Sequence, residues 1–454
     1  MQKTIHKKNK AMDKFLTWLN KNGAVFPNIY FQTYKSGERG VHAKVSIPEH
    51  QTVIKIPRSI LIYSGLGEKS PWGKKVSQNS TGISGLNLVY ICLYILQDME
   101  HKNKFGPYYK ILPKKFDNFP IFWNTTEKKY LENSYLLKEI DIRKNILMKD
   151  YYKLCKILKE FHFSSVCSLQ KFLQIRTLVG SRNFGLWIDG KKQATMVPLG
   201  DMLNHSTSPN VKWVFEEKTN AFVMNSIHSI RSHSTISDSY GTKCNRSYIL
   251  FYGFTLPDNN KCRNTIFLQL KQPVSTFKIQ GLRDQLISDE FSRNISSDFN
   301  SLNFRQMMTF LRIANANETE LSAFIQNRQL SQNPYSKRNE AAALSYLAFK
   351  INELLNTYSL SFSQNKTNLK KFPTHSNENF ATILVMGEKK IMQQLLAFTK
   401  LTLGVLLLNN RVSTRQLKNN ICLPYKLFVS WIISYYSQNI LIVQYFQMDP
   451  GLIY

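Results

Sequence analysis

The sequence predicts an α+β protein in which small sheets flank a helical insertion and an all-α region follows. Three patterns carry the prediction. Segments rich in β-branched residues appear before residue 65 and again between about 195 and 270. Between them, from about 86 to 175, and again beyond 275, apolar residues recur at helical spacing.

Phe15, Leu16, Trp18 and Leu19 place apolar groups along one helix, which Asn22-Gly23 should stop. GVHAKVSIPEHQTVIKIPRSILI then reads as two strands about a turn near Pro48 and Glu49, forming a compact sheet. LNLVYICLYILQDME and LKEIDIRKNILMKDYYKLCKILKEFHF form the helical insertion around FGPYYKILPKKFDNFPIFW. Strand patterns return from Thr195, with polar turns at 204–210 and 257–261. Beyond Asn333-Pro334, Leu344, Leu347, Ile351, Leu354 and Leu355 line one face of a helix, and SFSQNKTNLKKFPTHSNENF reads as a polar linker. The domains expected are 12–270, with the insertion at about 86–175, a helical domain at 275–400, and a divergent apolar tail at 401–454. The uncharged run 427–448 has the length to span a bilayer. Its Ser, Gln, Asn and Tyr residues are costly in hydrocarbon, so a buried segment is expected there rather than a membrane anchor.

Of 454 residues, 43% are hydrophobic, the composition of a globular chain rather than a disordered one. The net charge of +30 is spread along the chain and not gathered in one stripe. No aromatic-interleaved basic patch accompanies it, so nucleic acid is not an expected partner. The six cysteines are scattered without a CxxC pair, which points to reduced thiols and to no metal site. The N-terminus lacks the apolar run of a signal peptide, and its lysines read as a solvated end. Cytoplasm, nucleus or both is the expected location, and a monomer the expected state.

Chemistry concentrates in a few short segments. Glu38, Arg39 and Gly40 form a strand entry whose glycine would let backbone lie close to a ligand. SRNF contains Ser181, Arg182 and Phe184, and a guanidinium can grip a carboxylate through paired hydrogen bonds. VPLGDMLNHS contains Asp201 and the Asn204-His205 pair, able to offer both donors and acceptors. ISDSYGTKCNRSYILFYGF contains Tyr240, Tyr252 and Phe254. Taken singly, these are turns and half-buried strand residues.

In this order, and with FLTWLNKNGAVFP, LRIANANETEL, NPYSKRNEAAAL and ILVMGEKKIMQ around them, the segments resemble a group of SET-domain protein methyltransferases. That group includes the Rubisco large-subunit lysine methyltransferase and the actin histidine methyltransferase. The resemblance runs from about Phe15 to Phe398. It implies a SET β-fold with a knotted C-terminal part, S-adenosylmethionine as cofactor, a protein as substrate, and a helical domain that recognises it.

The resemblance also implies roles. Glu38, Arg39, Arg182, Asn204, His205 and Phe254 would contact the cofactor, Phe254 against the adenine. Ser181, Phe184, Asp201 and Tyr252 would line the substrate channel, and Tyr240 would be the catalytic tyrosine. The histidine enzyme has an asparagine where this chain has Phe184 and a tryptophan where it has Gly200, so a lysine acceptor on a non-histone protein is expected. The 240–252 segment matches the histidine enzyme in length and in its YGT start, which keeps histidine as the alternative. Departures are His233-Ser234 where the group has Gly-Glu, and Leu186 where the lysine enzymes have a channel arginine. The first supports a third reading, a catalytically silent binding module, against which the joint presence of Arg182, Asn204, His205 and Tyr240 argues.

Overall fold

The structure is a computed structural model that describes residues 10–34, 38–257, 259, 264–299 and 301–407. The run 427–448, Gly37, Lys7, Lys8, Cys262 and Cys422 lie outside the described residues. Two compact units emerge. Of the described residues, the first comprises those up to 123 with 138–242 and 250–253, and the second 124–137, 243–249 and those from 254 onward.

The first unit opens with the helix Lys10–Lys21, which buries Met12, Phe15 and Leu19 on one face. Phe15 and Leu19 are wholly buried, each worth roughly 1.5–3 kcal/mol. The helix stops where expected: Asn22 turns its side-chain amide back onto the Trp18 carbonyl at 2.7 Å, and Gly23 follows at φ +79°.

Its strands are β1 (Ile29–Thr33), β2 (Arg39–Ala43), β3 (Thr52–Pro57), β4 (Ile62–Tyr63), β5 (Asn183–Ile188), β6 (Lys191–Met196), β7 (Asn204–His205), β8 (Val211–Glu216), β9 (Ala221–Ser226) and β10 (Thr235–Asp238). They form three sheets, ordered β1-β2-β10-β7, β4-β6-β5 and β3-β9-β8. The two strands expected about Pro48 are therefore not one sheet. β2 pairs with β1 and β10, whereas β3 pairs antiparallel with β9. β10 and β9 lie roughly 165 to 195 residues later in the chain, so local pattern alone could not assign them. Between β4 and β5 lies the helical insertion, including Leu86–Gln97, Gly106–Ile111, Leu136–Ile157 and Leu169–Arg182.

His233 explains one departure from the group's pattern. It sits at φ +63°, in the left-handed region where glycine is favoured. Its backbone N–H donates to the Ala43 carbonyl at 2.8 Å, its carbonyl accepts from His42 Nδ1 at 3.1 Å, and its ring meets Tyr30 edge-on. These contacts hold a turn that β-branched side chains would disfavour.

The second unit holds the hairpin of β11 (Thr265–Lys271) and β12 (Glu290–Ser296) and the helices Leu302–Ala314, Glu318–Gln326, Lys337–Thr357, Phe362–Leu369 and Asn377–Leu407. Its core gathers Leu268, Ile295, Phe304, Leu311, Leu344 and Phe398. Within it, Arg312 makes a two-point bond to Glu340 at 2.6 and 3.0 Å, both side chains fully buried. Two expectations need correcting here. The polar linker contains the helix Phe362–Leu369, started by a capping box between Ser361 and Gln364. In addition, residues read among strand patterns form the helix Asn245–Tyr252, whose Asn245 side chain bonds the Leu256 backbone at both ends.

Candidate active site

The first unit brings most of the predicted residues to one place, through two pairings. β10 runs antiparallel to β2 and parallel to β7, with Ser237 opposite Asn204 and Asp238 opposite His205. Arg39, at the start of β2, accepts on its carbonyl from the Asn204 amide at 3.0 Å. Past the end of β10, the Tyr240 N–H donates to His205 Nδ1 at 3.1 Å, and the two rings lie 5.3 Å apart. The Tyr240 hydroxyl donates to the Leu203 carbonyl at 2.8 Å, and its ring stacks on Tyr252 at 5.1 Å.

Burial pushes the Tyr240 hydroxyl well above its ordinary value, against the pull of the Arg182 cation, so it is a neutral phenol at physiological pH. Its proton is committed to the Leu203 carbonyl.

A second cluster surrounds Asp201. Leu199, at φ +77°, turns the chain into the 3-10 segment Gly200–Met202 and carries backbone strain of the order of 1–3 kcal/mol. The Asp201 side chain is wholly buried, and burial raises its pKa although Arg182 and Tyr108 pull the other way. Tyr108 donates to Oδ2 at 2.7 Å, while Arg182 Nη1 donates to the Asp201 carbonyl at 2.8 Å and lies 3.6 Å from Oδ2. Asp201 Oδ1 is buried without a partner among the described residues.

Phe184 is wedged edge-on between Trp213 and Phe222, at 5.3 and 5.2 Å. Gly200 has no room for a side chain: a Cβ there would meet Val197 Cγ1 at 2.9 Å and Phe222 at 3.2 Å.

Other predicted residues make local contacts. Ser181 bonds the Leu178 carbonyl of its own helix at 3.1 Å. The Glu38 carbonyl accepts from the Tyr34 N–H at 2.8 Å. Phe254 belongs to the second unit, stacked on Tyr248 at 5.1 Å. Sequence reasoning missed Tyr108, Leu203 and Asp238. The FGPYY segment was a signal for Tyr108, since a tyrosine so deeply buried needs a polar partner.

The SET domain family model matches residues 38–241, which hold Arg39, Arg182, Asn204, His205 and Tyr240. Over these residues the chain is similar to the SET-domain protein methyltransferases. A second model, Rubisco LSMT substrate-binding, matches residues 271–392. Human (Homo sapiens) actin-histidine N-methyltransferase is 21% identical over 403 residues, 84% of this chain and 66% of the relative. The chicken (Gallus gallus) protein of the same name is 20% identical over 414 residues, 86% of this chain and 68% of its own. This chain thus spans about two thirds of the length of these curated relatives. Among solved structures, Rubisco LSMT bound to sinefungin and monomethyllysine superposes with a TM-score of 0.72 at 19% identity, covering 93% of this chain and 100% of that one. The SET domain of LSMT bound to lysine and AdoHcy gives 0.71 at 19% identity, with 92% and 97% covered. These likenesses give the fold.

The methyl donor of SET-domain enzymes is S-adenosylmethionine, and the donor set here fits it. Among the described residues Arg182 pairs through Nη1, which leaves Nε and Nη2 for a carboxylate. Asn204 is exposed and uses one amide hydrogen, so its carbonyl oxygen and second N–H are available. Asn204 lies beside Tyr240 through β7 and β10, and the Arg182 cation bears on the Tyr240 hydroxyl.

Proposed function

We propose that the chain is an S-adenosylmethionine-dependent protein-lysine N-methyltransferase acting on a non-histone protein, as a monomer in the cytoplasm or nucleus. The observation that carries this reading is the juxtaposition of Tyr240 with Asn204-His205, fixed by the parallel pairing of β10 with β7 and the Tyr240–His205 bond. S-adenosylmethionine supplies, when bound, a methyl group activated by a sulfonium.

The chain's own residues do the rest by position and electrostatics. Arg182 grips the carboxylate of the cofactor and Asn204 its polar groups. Tyr240, kept protonated and tied to Leu203, orients the acceptor nitrogen through its lone pairs and is not a base at neutral pH. The aromatic wall of Phe184, Trp213 and Phe222 strips water from an entering ammonium, which lowers its pKa so that it gives its proton to solvent water and attacks as the neutral amine.

Phe184 and Gly200 favour lysine as acceptor. An imidazole needs a polar partner on its second ring nitrogen, a phenyl ring supplies none, and the packing about Gly200 leaves no room for a bulky residue. A histidine acceptor is the second reading, supported by the actin-histidine relatives and by the 240–252 segment. The cleft of about 380 Å³ in the second unit, lined by Tyr135, Phe267, Lys271, Lys350 and Glu388, is a surface on which a target protein could rest.

The test is transfer of labelled methyl from S-adenosylmethionine into extract proteins by wild type and by Tyr240→Phe. Incorporation with wild type that falls at least about a hundredfold in the variant is expected. Equal incorporation by the two proteins contradicts the assignment of Tyr240.

A further inference from the structure

We propose that Asp238 is a positioning residue for the methyl donor: its buried carboxylate, which no cation among the described residues offsets, favours a positively charged sulfonium over the neutral thioether left after transfer. The inference rests on the cofactor reading above. Asp238 closes β10, in register with His205 and two residues before Tyr240. Only 4% of its surface is exposed.

Charges buried this deeply are normally paired. Asp201 meets that expectation through Tyr108 and Arg182. Asp238 does not, for its carboxylate is held by the Ser239 backbone and makes no ion pair among the described residues. Titratable or charged groups on the elements packed against β10 are Arg39 and His42 on β2, His205 on β7, and Lys212 and Glu216 on β8. Asp238 bears on the Tyr240 hydroxyl together with Arg182, Asp201 and Tyr252, and its negative charge helps keep that hydroxyl protonated.

An unpaired carboxylate at this depth weakens the fold, and it is accounted for where a cation arrives from outside. The sulfonium of the donor is such a cation, and it disappears when the methyl leaves. Burial pushes the Asp238 carboxyl up to about 6, so its charge is present at pH 8 and mostly absent at pH 5.

The experiment is calorimetric titration of the full chain with S-adenosylmethionine and, separately, S-adenosylhomocysteine at pH 5 and pH 8. Both ligands carry the same amino-acid tail, so the ratio of their affinities cancels effects on that tail. Wild type should raise its preference for the sulfonium on the order of tenfold from pH 5 to pH 8. Asp238→Asn should show a flat preference, and its affinity for S-adenosylhomocysteine reports whether its pocket is intact. A flat preference in wild type, which needs no variant to measure, overturns the inference; so does a rise that survives in Asp238→Asn. If wild type binds neither ligand, the cofactor reading fails and this inference with it, whereas binding of both with a flat preference overturns this inference alone.

Discussion

Replacing Asp238 by Asn should stabilise the fold, and more so as pH rises. The carboxyl has an ordinary value of 3.8 and is pushed to about 6 by burial in the folded protein. Because the folded state holds the proton more tightly than the unfolded one, stability falls as pH rises through this interval and levels off above it. At 1.36 kcal/mol per pKa unit, the ionised Asp238 costs about 3 kcal/mol at pH 8 and about half of that at pH 5. Asn is nearly isosteric and does not titrate, so its own packing and hydrogen-bond effects are the same at both pH values. The difference between variant and wild type should therefore grow by on the order of 1 kcal/mol from pH 5 to pH 8. Urea unfolding followed by tryptophan fluorescence is a suitable assay, since Trp18, Trp72, Trp123, Trp187 and Trp213 all lie in the first unit with Asp238. A difference that stays constant with pH, or shrinks, would refute the description of Asp238 as an unpaired buried carboxylate.

Two further changes probe the same unit. Tyr108→Phe removes the hydroxyl that donates to Asp201 Oδ2 and should lower stability by about 1.5–3 kcal/mol, the worth of a hydrogen bond to a buried charge, as read by urea unfolding at pH 7. An unchanged midpoint would show that Asp201 does not depend on it. Gly200→Ala places a methyl against Val197 and Phe222 and should cost about 1–3 kcal/mol by overpacking, whereas a thermal midpoint equal to wild type would mean the wall yields easily.

Much of this arrangement could be read from sequence where the determining interactions are local. The first helix and its stop depend on the spacing of Phe15 and Leu19 and on Asn22-Gly23, all close together in the sequence. The insertion helices follow from long periodic runs. Sheet membership was not legible, because β2 and β3 find their partners in β10 and β9, and period-2 patterning carries no address for a partner. The helix Phe362–Leu369 was hidden by a polar composition, although Ser361 and Gln364 had the spacing of a capping box.

Within the site, the Asn204-His205 pair and Tyr240 stood out through the order of motifs along the chain. Tyr108 reaches Asp201 from 93 residues away, and only the fold makes that bond. Asp238 was passed over because an aspartate beside a serine-rich turn reads as solvated, and its 4% exposure is set by neighbours on other strands.

The most direct measurement of the central claim is mass spectrometry of extract proteins after incubation of the purified chain with S-adenosylmethionine carrying an isotope-labelled methyl group, with the modified residue located in each peptide. The account predicts labelled methyl on lysine Nζ, absent when Tyr240→Phe replaces the wild type. Label on histidine would contradict the lysine assignment drawn from Phe184 and Gly200, and no labelled residue of either kind would contradict methyl transfer itself.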